Sequence, residues 1–223
     1  LEWYRLGFDH FALMEEVDAL LQETLATAPA DKMTYQQAFQ TYLNIDPLTA
    51  DDDMLLKAMK EQNIDIHAPQ SLSYDSKLQL LFSYAIEPKI GIEKPCFIYD
   101  FPASQAALAK LSSDDERVAE RFEVYYQGAE LANGFHELSA AKEQRLRFET
   151  DNEKRKENGT QNAHKQQKTM DKSKTRKQVA KIATLIVFAK VIQTSKKKTK
   201  KSKHQQKIFF NEKSTLFIPK KSE

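Results

Sequence analysis

The sequence predicts an α+β fold in which an antiparallel sheet is flanked by helices. Two observations lead to this prediction: three stretches with apolar residues at helical spacing come early in the chain, and a hairpin pattern follows at 121–138. Hydrophobic residues make up 40% of the 223 residues, which is enough for one core. We therefore expect a single globular unit with an appendage.

The first half of the chain is predicted to be mainly helical. LEWYR opens as a short strand, and Asp9 to Ala26 shows the apolar spacing of an amphipathic helix. Thr34 and Gln37 form a capping-box pattern, Pro47 marks a turn before a helix from about 49 to 62, and a further helix is expected over 74–85. We expect these helices to pack on one side of the sheet.

Strand patterns dominate the next part of the chain. PCFIYDF at 95–101 is one predicted strand, and RFEVYYQ at 121–127 and ELANGFHEL at 130–138 form an antiparallel pair joined by a Gly-containing turn. After Leu138 the composition favours a charged helix, with Ser139 as candidate cap and Gly159 as candidate stop.

The composition changes at residue 160, so we divide the chain into a domain at 1–159 and a Lys-rich tail at 160–223. The tail holds 18 of the 34 Lys and Arg residues but 3 of the 32 Asp and Glu residues, a formal charge of about +15 against about −13 for the domain. One interpretation is an out-of-frame or disordered continuation. The alternative is a genuine basic tail that binds RNA or acidic surfaces through phosphate contacts.

The sequence favours a cytoplasmic protein with no membrane span. Cys96 is the one cysteine, so no internal disulfide forms, and the start of the chain lacks the pattern of a secretory signal. The most apolar run, IATLIVFA at 182–189, is well short of the roughly 18 residues that a membrane-spanning helix needs.

The predicted hairpin brings polar and aromatic side chains onto one face. Side chains two apart in a strand share a face, so Asn133, Phe135 and Glu137 point the same way, as do Glu123 and Tyr125 on the neighbouring strand. Glu130 joins that face if a β-bulge intervenes, and bulges are common where a strand redirects a side chain toward a site.

These residue types suit cationic ligands. Two carboxylates without basic neighbours, Glu123 and Glu130, suit Mg²⁺ bridging nucleotide phosphates. Glu137 beside an aromatic ring suits an ammonium group. The alternative is that the face is the solvent side of an ordinary hairpin, and Glu2 and Tyr4 likewise fit either a ligand wall or a half-exposed edge strand.

Longer stretches of the chain resemble class II aminoacyl-tRNA synthetases of the lysine type. The similarity covers roughly residues 1–159 and lies in LEWYR, FDHFALMEEVDALLQ, EKPCFIYDFPASQAALAK and RVAERFEVYYQGAELANGFHEL. The nearest branch is the truncated one whose members attach beta-lysine to elongation factor P. FPASQAALAK stands where the synthetases usually show a Ser-Pro-Leu-Ala-like segment, and LEWYR where they read closer to Met-Glu-Phe-Tyr.

The resemblance implies a fold, an activity and a set of residue roles. The fold is that of class II synthetases, and the activity is ATP-dependent formation of a lysyl or beta-lysyl adenylate followed by transfer to elongation factor P. The alternatives are transfer to tRNA, or a catalytically dead fragment that binds a partner subunit of the family's usual homodimer or nucleic acid. Mg²⁺ and ATP are held by Glu123 and Glu130, with Leu131 against the nucleotide. The amino-acid pocket is lined by Glu2, Tyr4, Asn133, Phe135 and Glu137, of which Glu137 takes the side-chain ammonium, and no residue of this chain is assigned a catalytic role.

Two segments that the family uses for phosphate binding do not occur in the sequence. The family has an arginine in the loop before the LEWYR strand, which contacts the α-phosphate, and a second one in a late Gly-x-Asp-Arg segment, which contacts the γ-phosphate. Adenylate formation depends on neutralising the charge that develops at phosphorus, so the loss of such an arginine raises the barrier by several kcal/mol.

We therefore expect the purified chain to form no adenylate at a useful rate. The measurement is lysine-dependent exchange of pyrophosphate into ATP, with a class II lysyl-tRNA synthetase as positive control. Robust exchange by the chain would contradict this expectation.

Overall fold

The computed structural model describes residues 1–157 and 182–187, and within them the strands form one six-stranded sheet. The strands are β1 (Glu2–Leu6), β2 (Asp31–Thr34), β3 (Cys96–Pro102), β4 (Val118–Tyr126), β5 (Ala129–His136) and β6 (Ile182–Val187). Their order is β1-β6-β5-β4-β3-β2, and neighbours are antiparallel except β2 and β3, which are parallel. The predicted antiparallel sheet is thus a mixed one.

The helices follow the predicted order with shorter bounds. They are α1 (His10–Leu25), α2 (Tyr35–Leu43), α3 (Asp52–Glu61), α4 (Tyr74–Leu81) and α5 (Ala141–Glu157). Asp9 caps α1 by accepting a hydrogen bond from the Ala12 N–H at 2.8 Å, and both bonds of the Thr34–Gln37 capping box are present at the start of α2. The helix predicted over 74–85 changes at Phe82 into a π-helical turn, Phe82–Ile86.

The helices pack on both faces of the sheet, so the prediction of a single helical side is wrong. Helix α1 forms a core cluster with Phe97, Phe122 and Val124, whereas α2, α3 and α4 form a second cluster with Ile98 and Tyr125. Phe97 and Ile98 are adjacent in β3 and point to opposite faces. Because consecutive residues of β3 are buried, this strand needs cover on both sides.

The sequence predicts β1, β3, β4 and β5 but assigns no element to β2 or β6. Strand β2 is four residues long with one apolar side chain, too short for an alternation to show. Strand β6 lies within the segment assigned to the tail, and the rest of that segment falls outside the described residues. The predicted helix stop at Gly159 also falls outside them. No helix in the part of the chain that the structure describes is long and apolar enough to cross a membrane.

Gly91 lies against the backbone of β4. Its φ angle is +61°, and its carbonyl accepts a hydrogen bond from the N–H of Gln127 at 2.7 Å. A methyl group added at Gly91 would overlap the carbonyl oxygen of Tyr125 and lie 2.7 Å from its carbonyl carbon. Neither atom can move without shifting β4, so the position requires glycine for space as well as for backbone conformation.

We expect Gly91→Ala to lower the free energy of unfolding by about 2–5 kcal/mol, measured by urea denaturation. The left-handed backbone costs an alanine about 1–2 kcal/mol, and overpacking adds about 1–3 kcal/mol. Gly7→Ala is the matched control, because Gly7 has a φ of +80° and open space around its Cβ position. Equal losses in the two variants would contradict the role of the Tyr125 contact.

Candidate functional site

A β-bulge in β5 brings Glu130 onto the same face as Asn133. Ala132 pairs with Val124 and Glu130 pairs with Tyr125, so Leu131 is the extra residue between the two pairs. Since Tyr125 and Glu123 share a face of β4, the bulge places Glu130 on that face as well. The bulge predicted from the sequence is confirmed.

The strand register aligns the predicted site residues in rows across the sheet. In one row, Glu123 lies opposite Asn133. On the other side of β5, Asn133 pairs with Ile186 of β6, and Ile186 in turn pairs with Glu2 of β1. In the next row, Arg121 lies opposite Phe135, and Phe135 and Tyr4 both pair with Thr184. We call this surface the acidic face; its members are Glu2, Tyr4, Arg121, Glu123, Tyr125, Glu130, Asn133, Phe135 and Glu137.

The exposure pattern along β5 distinguishes the acidic face from the opposite one. Asn133, Phe135 and Glu137 are half-buried, whereas the alternate residues Ala132, Gly134 and His136 are buried. Half-buried positions are reached by solvent and remain partly enclosed, as expected for the floor of a ligand site. The solvent side of an ordinary hairpin would be more exposed than these three side chains are.

Glu123 is ion-paired, so the expectation that it lacks basic neighbours is wrong. Arg121 contacts its Oε1 through Nη2, and the amide of Asn133 donates to the same oxygen at 3.1 Å. The side chains of Arg121 and Glu123 are 18% and 12% exposed, so this pair is largely removed from water. Arg121 also donates to the carbonyl oxygen of Gln105 at 2.9 Å and lies 4.6 Å from the centre of the Phe101 ring.

Tyr125 holds the second oxygen of Glu123. Its hydroxyl donates to Oε2, and the ring is buried against Phe82 at 5.5 Å between centres. Burial, followed by the charge of Glu123, raises the pKa of Tyr125 well above its usual value. The hydroxyl therefore stays protonated and keeps donating to the carboxylate.

Tyr4 lies among the carboxylates at the β1 end of the acidic face. Its hydroxyl donates to Glu2 Oε1 at 2.5 Å, and half of the side chain is exposed. Burial, the hydrogen bond to Glu2 and the charges of Glu2 and Glu137 raise its pKa to about 12. After the larger effect of burial, Glu2 and Glu137 therefore both contribute negative charge at the Tyr4 hydroxyl.

Leu131 points away from the acidic face. Its side chain is 6% exposed and belongs to the cluster under α1. A nucleotide bound on the acidic face would therefore meet the backbone of Leu131, not its side chain.

The described residues hold no group of three or more His, Cys, Asp or Glu side chains arranged for a metal ion. Mg²⁺ rarely uses such a cage and is more often held by one or two carboxylates together with substrate phosphates. Glu130 and Glu123 on one face fit that mode. A carboxylate offers about four acceptor positions and Glu123 uses three, so one remains for a metal ion or its water.

A separate cleft of about 190 Å³ contains none of the predicted residues. Its lining includes His10, Asp100 and Asp114, and the Nε2 atom of His10 lies 3.3 Å from Oδ1 of Asp100. Asp100 stands at the irregularity in β3, with a φ of +56°. The acidic face remains the candidate site because it alone brings the predicted residues together.

Sequence reasoning missed Arg121, although the signal was available. The rule that places Glu123 and Tyr125 on one face also places Arg121 there, since it lies two residues before Glu123. The contact with the Gln105 carbonyl could not be found in this way, because it joins β4 to a short 3-10 helix, Ala103–Gln105, that ends sixteen residues earlier.

Comparison with known proteins identifies related chains. Residues 11–173 match the family model for class II tRNA synthetases (D, K and N). Proteins named elongation factor P--(R)-beta-lysine ligase from Salmonella arizonae, Salmonella paratyphi B and Salmonella heidelberg are each 57% identical over 159 residues. The match covers 71% of this chain and 49% of each relative, so the chain spans about half the length of the curated relatives it matches.

The raised pKa of Tyr4 leads to a prediction about its ionisation. At about pH 11 an ordinary tyrosine is mostly ionised, whereas we expect Tyr4 to remain mostly protonated. The same shift stabilises the folded chain below the usual tyrosine pKa, and this contribution is lost as the pH rises through about 12. The measurement is the tyrosinate absorbance of the chain minus that of Tyr4→Phe.

Glu2→Gln should lower the pKa of Tyr4 but leave it above its usual value, because burial is the largest cause of the shift. Glu16→Gln is the control, since Glu16 contacts the neighbouring residues Trp3 and Arg5. A Tyr4 pKa near the ordinary value, or an equal effect of the two substitutions, would contradict the assignment.

Proposed function

The chain belongs to the class II tRNA synthetases (D, K and N), and we propose that it is part of an ATP-dependent ligase acting on lysine or beta-lysine. The acyl group would be activated as an adenylate and passed to a lysine side chain of elongation factor P. The observation that carries the proposal is the β5 bulge, which lines up the acidic side chains of β5 with those of β4 and β1.

The reaction has two steps. The carboxylate of the amino acid attacks the α-phosphorus of ATP, which forms the acyl-adenylate and releases pyrophosphate. The amine of the acceptor lysine then attacks the acyl carbon, which forms an amide, and AMP leaves with the bonding electrons while the amine loses a proton.

The amino-acid part of the site is proposed at the β1 end of the acidic face. Glu137 pairs with the side-chain ammonium, and Glu2, which accepts a hydrogen bond from the Tyr4 hydroxyl, adds a second carboxylate. Phe135 and Asn133 complete the lining, the ring by its negative face and the amide by hydrogen bonding. A cationic amino acid fits this set better than an apolar or acidic one.

The nucleotide part is proposed at the bulge. Glu130, and Glu123 through its remaining acceptor position, would hold Mg²⁺, and the backbone of Leu131 would border the nucleotide. When bound there, Mg²⁺ would supply positive charge that neutralises the phosphates beside these carboxylates.

The names of the relatives support elongation factor P as the acceptor. Transfer to a tRNA end is the alternative, which the description of the family model favours. The proposed enzyme works in the cytoplasm as a homodimer, as the resemblance to the synthetases implies.

We expect substitutions of Glu137 and Glu130 to weaken the binding of different ligands in calorimetric titrations. Glu137→Gln should weaken the binding of lysine or beta-lysine on the order of 30-fold or more, because an ammonium group loses its charged partner. Glu130→Gln should weaken the binding of ATP with Mg²⁺ and leave the amino acid largely unaffected.

Glu116→Gln is the matched control, since Glu116 is an exposed glutamate of the loop before β4. It should bind both ligands as the unaltered chain does. A folded chain that binds neither ligand, or a Glu137→Gln variant that binds lysine normally, would contradict the proposed function.

A further inference from the structure

We propose that Arg121 is a positioning residue that holds Glu123 and Asn133 together and thereby couples the amino-acid and nucleotide parts of the site. The identity of the two ligands rests on the proposed function. The positioning itself rests on the contacts of the Arg121 guanidinium.

All three guanidinium nitrogens of Arg121 have partners. Nη2 contacts Glu123 Oε1, Nη1 donates to the Gln105 carbonyl oxygen at 2.9 Å, and Nε lies 3.4 Å from Asn133 Oδ1. The guanidinium plane also packs on Phe101. A group held from three chain segments and stacked on a ring has one orientation, and the point charge of a lysine cannot reproduce this fork.

These contacts fix the amide of Asn133. Arg121 can only donate and the Glu123 carboxylate can only accept, so the amide oxygen faces Arg121 and the amide nitrogen faces Glu123. One N–H of the amide is then left for a ligand. Asn133 therefore offers a hydrogen-bond donor, which suits the carboxylate of an amino acid and not its ammonium.

The same contacts fix Glu123. Oε1 accepts from Arg121 and Asn133 and Oε2 accepts from Tyr125, so the carboxylate is held from both oxygens with one acceptor position left. That position belongs to the nucleotide part of the site, whereas Asn133 belongs to the amino-acid part. One guanidinium therefore sets the geometry of a residue in each part.

The first experiment compares Arg121→Lys with the unaltered chain by calorimetry. Lysine is titrated with and without a saturating non-hydrolysable ATP analogue and Mg²⁺, and the analogue with Mg²⁺ is titrated separately. We expect Arg121→Lys to weaken the binding of both ligands by about 10- to 100-fold, the loss that follows removal of a residue supporting a metal ligand. It should also reduce the effect that the binding of one ligand has on the affinity for the other. By contrast, Glu130→Gln should weaken only the binding of the ATP analogue with Mg²⁺, and Glu137→Gln only the binding of lysine.

Arg117→Met is the matched control, because Arg117 forms an exposed ion pair with Asp115 just before β4. Circular dichroism and thermal unfolding check that each variant is folded. Unchanged binding of both ligands by Arg121→Lys, or weakening of only one of them, would overturn the coupling.

The second experiment needs no ligand and keeps the two proposals distinguishable. The side-chain amide signals of Asn133 are identified by NMR from their loss in Asn133→Ala. We expect these signals to shift in Arg121→Lys and to stay in place in Arg117→Met. If the unaltered chain binds neither ligand, the proposed function fails. The Asn133 signals then test the positioning role alone, and signals that do not shift in Arg121→Lys would overturn it.

Discussion

The bulge at Leu131 is the constraint on which the arrangement of the acidic face depends. In a regular strand Glu130 would share a face with Ala132 and point into the cluster under α1, and Leu131 would point to the site. The extra residue reverses this, so that Leu131 and Ala132 are both buried under α1. Burying a leucine side chain is worth about 1.5–3 kcal/mol, and burying an unpaired carboxylate is costly. Hydrophobic packing on one face therefore determines which charges appear on the other.

Apolar packing beside the acidic face holds its polar side chains in place. Tyr125 packs against Phe82, which in turn stacks on Tyr35 of α2 at 5.4 Å between ring centres. The buried ring of Tyr125 carries the hydroxyl that holds Glu123. Because the ring cannot move without disturbing the core, the position of Glu123 is set by the packing of α2 and the π-helical turn. Hydrogen bonds on the acidic face thus depend on apolar contacts beside it, on the same side of the sheet.

The local features of the fold could be predicted from the sequence, and the long-range ones could not. Strand alternation, the capping box at Thr34 and the bulge at Leu131 follow from neighbouring residues and were all predicted. An amphipathic helix shows which of its sides is buried but not which face of a sheet it covers, so the side taken by α1 was missed. The hydrogen bond from Arg121 to the Gln105 carbonyl depends on where the 3-10 helix Ala103–Gln105 lies, which residue spacing does not encode.

Charge on the acidic face affects the two proposed ligands in opposite ways. Glu2, Glu123, Glu130 and Glu137 bring four carboxylates, and among the described members of this face Arg121 is the one guanidinium. An excess of negative charge attracts a cationic amino acid but repels the phosphates of ATP. Arg121 is fully engaged with Glu123, Asn133 and Gln105, so it is not available to a phosphate. Under the proposed function, nucleotide binding on this face would therefore depend on Mg²⁺, whereas amino-acid binding would not.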